Sequence, residues 1–112
     1  MDIEVRTQSQ VKIVKLRGRL GLGESLDRAS ATLGDLSNAG EKNILLDMEE
    51  VTMIDSSGIG LLVRHFSSAK QRGGALKLLK PSKMALQTLK LVRVLNLFEI
   101  FEDQQQAIAS FA

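Results

Sequence analysis

Met53-Ile54-Asp55-Ser56-Ser57-Gly58-Ile59-Gly60 is the stretch on which the fold turns. Ahead of it, Asn43-Ile44-Leu45-Leu46-Asp47-Met48 is a short apolar run with the character of a strand buried on both faces. A brief Glu49-Glu50 turn and then Val51 to Ile54 are expected to follow. Behind it, Ile59, Leu62, Val63, Phe66 and Ala69 recur at helical spacing. They predict a helix from about Ser57 to Gln71, stopped by Gly73-Gly74. An acid, two hydroxyls and a glycine therefore stand where a strand ends and a helix begins. The start of a helix presents unpaired N–H groups and a partial positive charge, which hydroxyls, carboxylates and phosphates all satisfy. The residues leave three uses open: a plain cap, a nucleophile, or a phosphate acceptor.

Working outward, Ile3-Glu4-Val5 and Val11 to Leu16 alternate apolar and polar, the period of half-buried strands, with a hairpin expected across Gln8-Ser9-Gln10. Gly18 to Gly23 is glycine-rich and reads as a loop. Glu24 to Ala39 carries Leu26, Ala29, Leu33 and Leu36 at helical spacing before Gly40. Beyond the central helix, Ala75 to Leu79 reads as a strand. Pro81 suits the first turn of a helix running through Met84, Leu89 and Val92. Leu97 to Glu102 reads as a short edge strand and Gln104 to Phe111 as a last helix. The order β-β-α-β-α-β-α-β-α means α/β layers, with helices packed on a sheet. No repeat, linker or low-complexity tract interrupts it, so residues 1–112 read as one domain.

At this length about two thirds of the unfolded surface is buried on folding, enough for one core. The chain is 44% hydrophobic and 25% charged, ordinary globular composition. Four Phe are its only aromatics, too few for a platform that stacks single-stranded nucleic acid. Net charge is only +2, and the basic residues are spread along the chain, so no nucleic-acid partner is expected. With no cysteine and one histidine, no metal site is expected. No apolar run is long enough to insert in a membrane and the N-terminus lacks a signal-peptide pattern, so a cytoplasmic location is expected.

Two enzymatic readings fail on the residues. A hydrolase elbow has the form G-x-S-x-G, but Ile54 occupies the first glycine position before Ser56. His65 lies nine residues along the same helix, about 13 Å from Ser56 at 1.5 Å per residue. A general base must lie within about 3 Å or one water, so no triad closes, and His65 reads as a solvated helix residue. Gly21-Leu22-Gly23 followed by Asp47 mimics a dinucleotide fingerprint, but Leu26 stands at the third glycine position. No cofactor is expected. The acceptor reading survives beside the plain cap. A phosphate on Ser56 would carry a charge of about −1.5 to −2, be tolerated at a helix start, and be felt by a docking partner.

Asp55-Ser56-Ser57-Gly58-Ile59-Gly60 resembles the signature loop of STAS domains, specifically bacterial anti-sigma-factor antagonists. The similarity extends over the Val11–Gly18 and Ile44–Asp47 strands, Gly73-Gly74, and Leu97 to Phe101 before the Gln-rich last helix. The resemblance implies an α/β STAS-type fold, a small mixed sheet with helices mainly on one face. It implies a non-catalytic module that binds an anti-sigma factor when unphosphorylated. That partner would be a serine kinase which modifies Ser56, with a PPM-type phosphatase reversing the step. Asp55, Ser57, Gly58, Ile59, Gly60, Leu61 and Arg64 would form the partner surface, together with the loop glycines Gly21 and Gly23. Asp55 would shape the loop, Gly58 and Gly60 would permit the turn and close approach, and Leu61 is expected to face solvent. A STAS subunit of a transporter or signalling complex, without phospho-switching, is the alternative. Members of the family often carry an acid after G-x-L in the preceding loop, where Gly18-Arg19-Leu20 is followed here by Gly21.

Overall fold

Alternation along the second strand decides what lies on each side of the sheet. A computed structural model describes all of residues 1–112. In β2 (Val11–Leu20), Val11 and Ile13 join one apolar cluster while Val14, Leu16 and Leu20 join another. The strand before it, β1 (Asp2–Gln8), pairs antiparallel through a two-residue turn, Ser9-Gln10, with φ of 51° and 65°. Left-handed geometry at both positions matches the twist of the flanking strands. β3 (Asn43–Ile54), β4 (Ala75–Leu79) and β5 (Ile100–Phe101) then add in parallel, so the sheet order β1-β2-β3-β4-β5 repeats the chain order.

Each parallel step needs a crossover. Right-handed crossovers taken always in one direction put their helices on one face. α1 (Glu24–Asn38), α2 (Ser56–Gln71) and α3 (Lys83–Leu91), the last followed by a 3-10 turn at Leu95–Leu97, occupy that face. Ala29, Leu33, Leu62, Ala69, Ala85 and Leu89 pack there on Val14, Leu46 and Leu78. α4 (Gln104–Ala109) follows the last strand and takes the opposite face, where Ala107 and Ile108 cover Ile13, Leu45 and Leu79. The α/β layering is the one the order of elements predicts, and the mixed sheet with helices mainly on one face is the one the resemblance implies.

Lys77 of β4 points to the α4 side, as the two-residue period requires. It is 6% exposed. Its Nζ donates to the Ser110 carbonyl and hydroxyl, 2.9 Å each, lies 3.2 Å from the Glu99 carboxylate and 4.7 Å from the Phe111 ring centre. These contacts pin the end of α4. Towards β1 the same side of the sheet carries ion pairs instead: Lys15–Glu50 at 3.0 Å, Arg17–Glu50 and Arg17–Glu4 at 3.4 Å. The hydrogen bond from Lys15 holds the Glu50 carboxyl below its usual value.

Several expected boundaries move. Glu49-Glu50 makes no turn: β3 continues through it with a bulge, Lys15 pairing with Asp47 but Arg17 with Glu50, and Lys15 and Arg17 both form ion pairs with Glu50. β2 continues through Gly18 to Leu20, so the loop is shorter than the glycines suggest. Pro81 lies outside α3. The cap is Ser82, whose Oγ accepts from the Ala85 N–H at 3.1 Å. Met84 and Val92 face solvent while Ala85 and Leu89 face the core. The last strand is confined to Ile100–Phe101, since Leu95–Leu97 coil into the 3-10 turn.

Candidate functional site

Asp55, not either serine, caps α2. Its backbone is extended and its N–H donates to the Leu20 carbonyl at 3.3 Å. One carboxylate oxygen accepts from the Gly58 N–H at 2.9 Å, the helix-start bond that an N-cap acid makes. The other accepts from the Leu22 N–H at 2.8 Å and lies 3.7 Å from an Arg19 nitrogen. One side chain therefore ties the loop after β2 to the start of α2. The Leu22 and Gly58 N–H groups hold the Asp55 carboxyl below its usual value, so it stays ionised.

Three glycines make this junction possible, each for a different reason. A Cβ on Gly58 would collide with the Leu20 carbonyl oxygen and lie 3.0 Å from the Ile54 Cγ2. Gly58 thus lets α2 approach β2 across its backbone, and the residue is buried. A Cβ on Gly21 would stand 2.7 Å from the Asp55 carboxylate and 3.1 Å from the Arg19 guanidinium carbon. An acid there, as the family often has, would collide with Asp55 as it is placed here. Gly23 starts α1 at φ 113°, a conformation open to glycine. Gly60 is different: its nearest neighbour would be an Arg64 nitrogen at 3.7 Å, an ordinary contact.

With the cap supplied by Asp55, Ser56 stands as the first residue of α2 and is exposed. Ser57, Ile59 and Gly60 are partly exposed and Arg64 is exposed. Two exposed apolar residues that the sequence does not single out stand on the segments that meet at Asp55: Leu22, 70% exposed, whose N–H bonds to Asp55, and Met53, 50% exposed, near the end of β3. Met53 owes its position to a bulge. Gly18 pairs with Val51 but Arg19 pairs with Met53, so Thr52 is an extra residue in β3. Val51 and Ile54 both turn inward and the two residues between them face out. Strict alternation would have turned Met53 inward with Val51, so sequence period alone hides it. Arg19, beside Met53 and Asp55, is the third residue missed.

Three expectations are corrected. Leu61 does not face solvent. It is 0% exposed, within the core between α2 and the sheet. The inward stripe of α2 is Gly58, Leu61, Leu62 and Ala69, because the close approach at Gly58 turns that edge of the helix to the sheet. Gly21 and Gly58 are buried, so neither lies on a surface that a partner could touch, and both act from within the junction. His65 is partly buried, and burial lowers its pKa, with Arg64 and Arg72 adding to the effect. The Gly21–Gly23 loop cannot cradle a phosphate as it stands. The Leu22 N–H is held by the Asp55 carboxylate and the Gly21 N–H lies 3.4 Å from the Ser25 hydroxyl. No group of three or more His, Cys, Asp or Glu is placed to hold a metal ion.

The family model for the STAS domain matches residues 2–107. Among solved structures, a candidate anti-sigma factor antagonist from Thermotoga maritima is similar at 22% identity, with 97% of this chain and 93% of that one covered and a TM-score of 0.89. The anti-sigma factor antagonist SpoIIAA of Bacillus, in its unphosphorylated form, is 18% identical over 97% of this chain and 95% of its own, with a TM-score of 0.82. In the phosphorylated form it matches at 0.77. A sulfate transporter family protein from Wolinella succinogenes is 20% identical over 94% of this chain and 87% of that one, at a TM-score of 0.73. At these identities the likeness is one of fold.

Proposed function

The chain belongs to the STAS domain family, and on that footing we propose that it is an anti-sigma-factor antagonist switched by phosphorylation of Ser56. It binds an anti-sigma factor while Ser56 is free, and it catalyses nothing itself. The partner is a serine kinase that transfers a phosphoryl group to Ser56, and a PPM-type phosphatase removes it, all in the cytoplasm. The observation that carries this reading is the division of labour at the helix start. Asp55 makes the cap, so the fold has no need of the Ser56 hydroxyl, which is left on an exposed residue at the start of α2. A phosphate there adds about −1.5 to −2 charge beside an ionised Asp55. The helix N-terminus offsets part of that, so the fold persists while a partner that docks there is repelled.

The test is intact-mass analysis of wild type and Ser56→Ala after incubation with a candidate anti-sigma kinase and ATP, followed by a pull-down with Ser56→Asp. One phosphate on wild type, none on Ser56→Ala, and weakened binding by Ser56→Asp are expected. Equal phosphate gain by Ser56→Ala would sink the assignment. A second reading rests on the sulfate transporter neighbour: a STAS subunit seated on a transporter without phospho-switching. No helix of this chain is long and apolar enough to cross a membrane, so in that reading the spanning partner is a separate chain or segment. Co-purification with membrane subunits, unaffected by Ser56→Asp, distinguishes it.

A further inference from the structure

Between Ser56 and Phe98 the chain carries eight Lys and Arg residues and not one Asp or Glu. Lys77 is engaged on the far side of the sheet, but Lys83, Lys90 and Arg93 are exposed around α3. That helix also shows solvent an apolar edge. Met84, Gln87, Thr88 and Leu91 follow the i, i+3, i+4, i+7 spacing of one helix face, and Leu91 is 84% exposed. Together with Lys90 they line a shallow hollow. A second hollow, formed by Lys90, Arg93, Leu95 and Asn96, adjoins it through Lys90.

The backbone gives a second, independent sign. Lys80, just before α3, and Arg93, just after it, have φ of 47° and 63°. Arg93 occupies the left-handed position that closes a helix, its N–H donating to the Lys90 carbonyl and the Val94 N–H to the Leu89 carbonyl. Glycine is at ease in that conformation and a long side chain is strained. A basic residue thus closes α3 where the fold alone favours glycine, and such strain collects where a side chain is used.

We infer that the outer face of α3 is a second docking surface, for an acidic amphipathic helix of a partner protein. Its leucine-like side chains would fill the hollows beside Met84 and Leu91, and its carboxylates would meet Lys83, Lys90 and Arg93. An anionic membrane meets the charges but fits the face poorly. Gln87 and Thr88 at the centre of the stripe would lose their hydrogen bonds to water in hydrocarbon, and the helix is nine residues long with no aromatic anchor. The surface is separate from Ser56, so the inference stands whether or not the phospho-switch does.

The experiment titrates a synthetic amphipathic helical peptide, leucines on one face and glutamates beside them, into the whole protein and follows backbone amide shifts. Wild type is expected to bind with shifts centred on residues 83–93. The double variant Lys83→Glu/Lys90→Glu, and separately Leu91→Ser, should weaken binding by about tenfold or more, and added salt should weaken it further. Arg28→Glu on α1 should leave it unchanged, as should Ser56→Asp. No binding by about 1 mM peptide overturns the inference. So does equal weakening by Arg28→Glu, which would mark general charge attraction. Binding only to phosphatidylserine vesicles overturns it in favour of a membrane. Dimerisation through α3 in sedimentation overturns it in favour of a second copy.

Discussion

Two glycines one residue apart in α2 should respond to alanine with opposite signs. Replacing either by alanine in the body of a helix gains about 0.8–1 kcal/mol of helix propensity. At Gly60 nothing opposes that gain, since the new methyl meets only an Arg64 nitrogen at 3.7 Å. Gly60→Ala is therefore expected to stabilise the domain by up to about 1 kcal/mol. At Gly58 the new methyl meets the Leu20 carbonyl oxygen, with the Ile54 Cγ2 at 3.0 Å and the Leu20 Cγ at 3.1 Å. A side chain could swing aside; a carbonyl in a paired strand cannot. Overpacking of this kind costs about 1–3 kcal/mol, towards the upper end when backbone must move. The retreat of α2 also stretches the bond from the Asp55 N–H to the same oxygen. The net for Gly58→Ala is a loss of about 1–2 kcal/mol. For a domain near this size each kcal/mol moves Tm by about 4–8 °C, so the two variants should melt on opposite sides of wild type. Urea titration with an unchanged m-value confirms that stability alone moved. A Gly58→Ala protein as stable as wild type, or a Gly60→Ala protein lowered equally, would show that close approach to β2 is not what Gly58 serves.

Other outcomes follow from the same geometry. Leu61→Ala should cost about 2–5 kcal/mol in urea unfolding and leave the affinity of the remaining folded protein for a partner unchanged. Because the Asp55 pKa is lowered on folding, its ionised form contributes stability above its unfolded value of 3.8, and that contribution is lost as pH falls through the lower folded value. Asp55→Asn should therefore flatten the acid limb of a Tm-against-pH profile, and an unchanged limb would contradict the arrangement. Lys77→Met should cost about 1–3 kcal/mol and speed amide exchange in residues 104–111 ahead of the rest of the chain.

The order of elements was readable because each carries its own period, and Ala75–Leu79 keeps its predicted limits since glycine and the end of the sheet bound it. What escaped depends on neighbours distant in sequence. Leu61 lies inside because Gly58 meets Leu20, a contact absent from any helical wheel. Met53 lies outside because β3 bulges against β2. Glu50 sits in a strand and not a turn because Lys15 and Arg17 wait opposite. At the candidate site the serines and the acid were legible as a group, whereas their division of labour was not. Asp55, Ser56 and Ser57 can each cap a helix by composition. Only the placement of the Leu22 and Gly58 N–H groups decides which one does.

The sheet's order has a consequence for how the molecule is made. Every strand pairs with the one synthesised just before it, so after the tight first hairpin each pairing waits only for one crossover, as from Lys12 to Ile44 or from Asn43 to Ala75, and for no later strand. A chain leaving the ribosome can therefore build its sheet outward from the first hairpin. The junction of β2, β3 and α2 that presents Ser56 is complete once β4 has emerged. The opposite side of the sheet stays open until Ser110 reaches Lys77. The nascent domain thus displays Ser56 before its last apolar face is sealed.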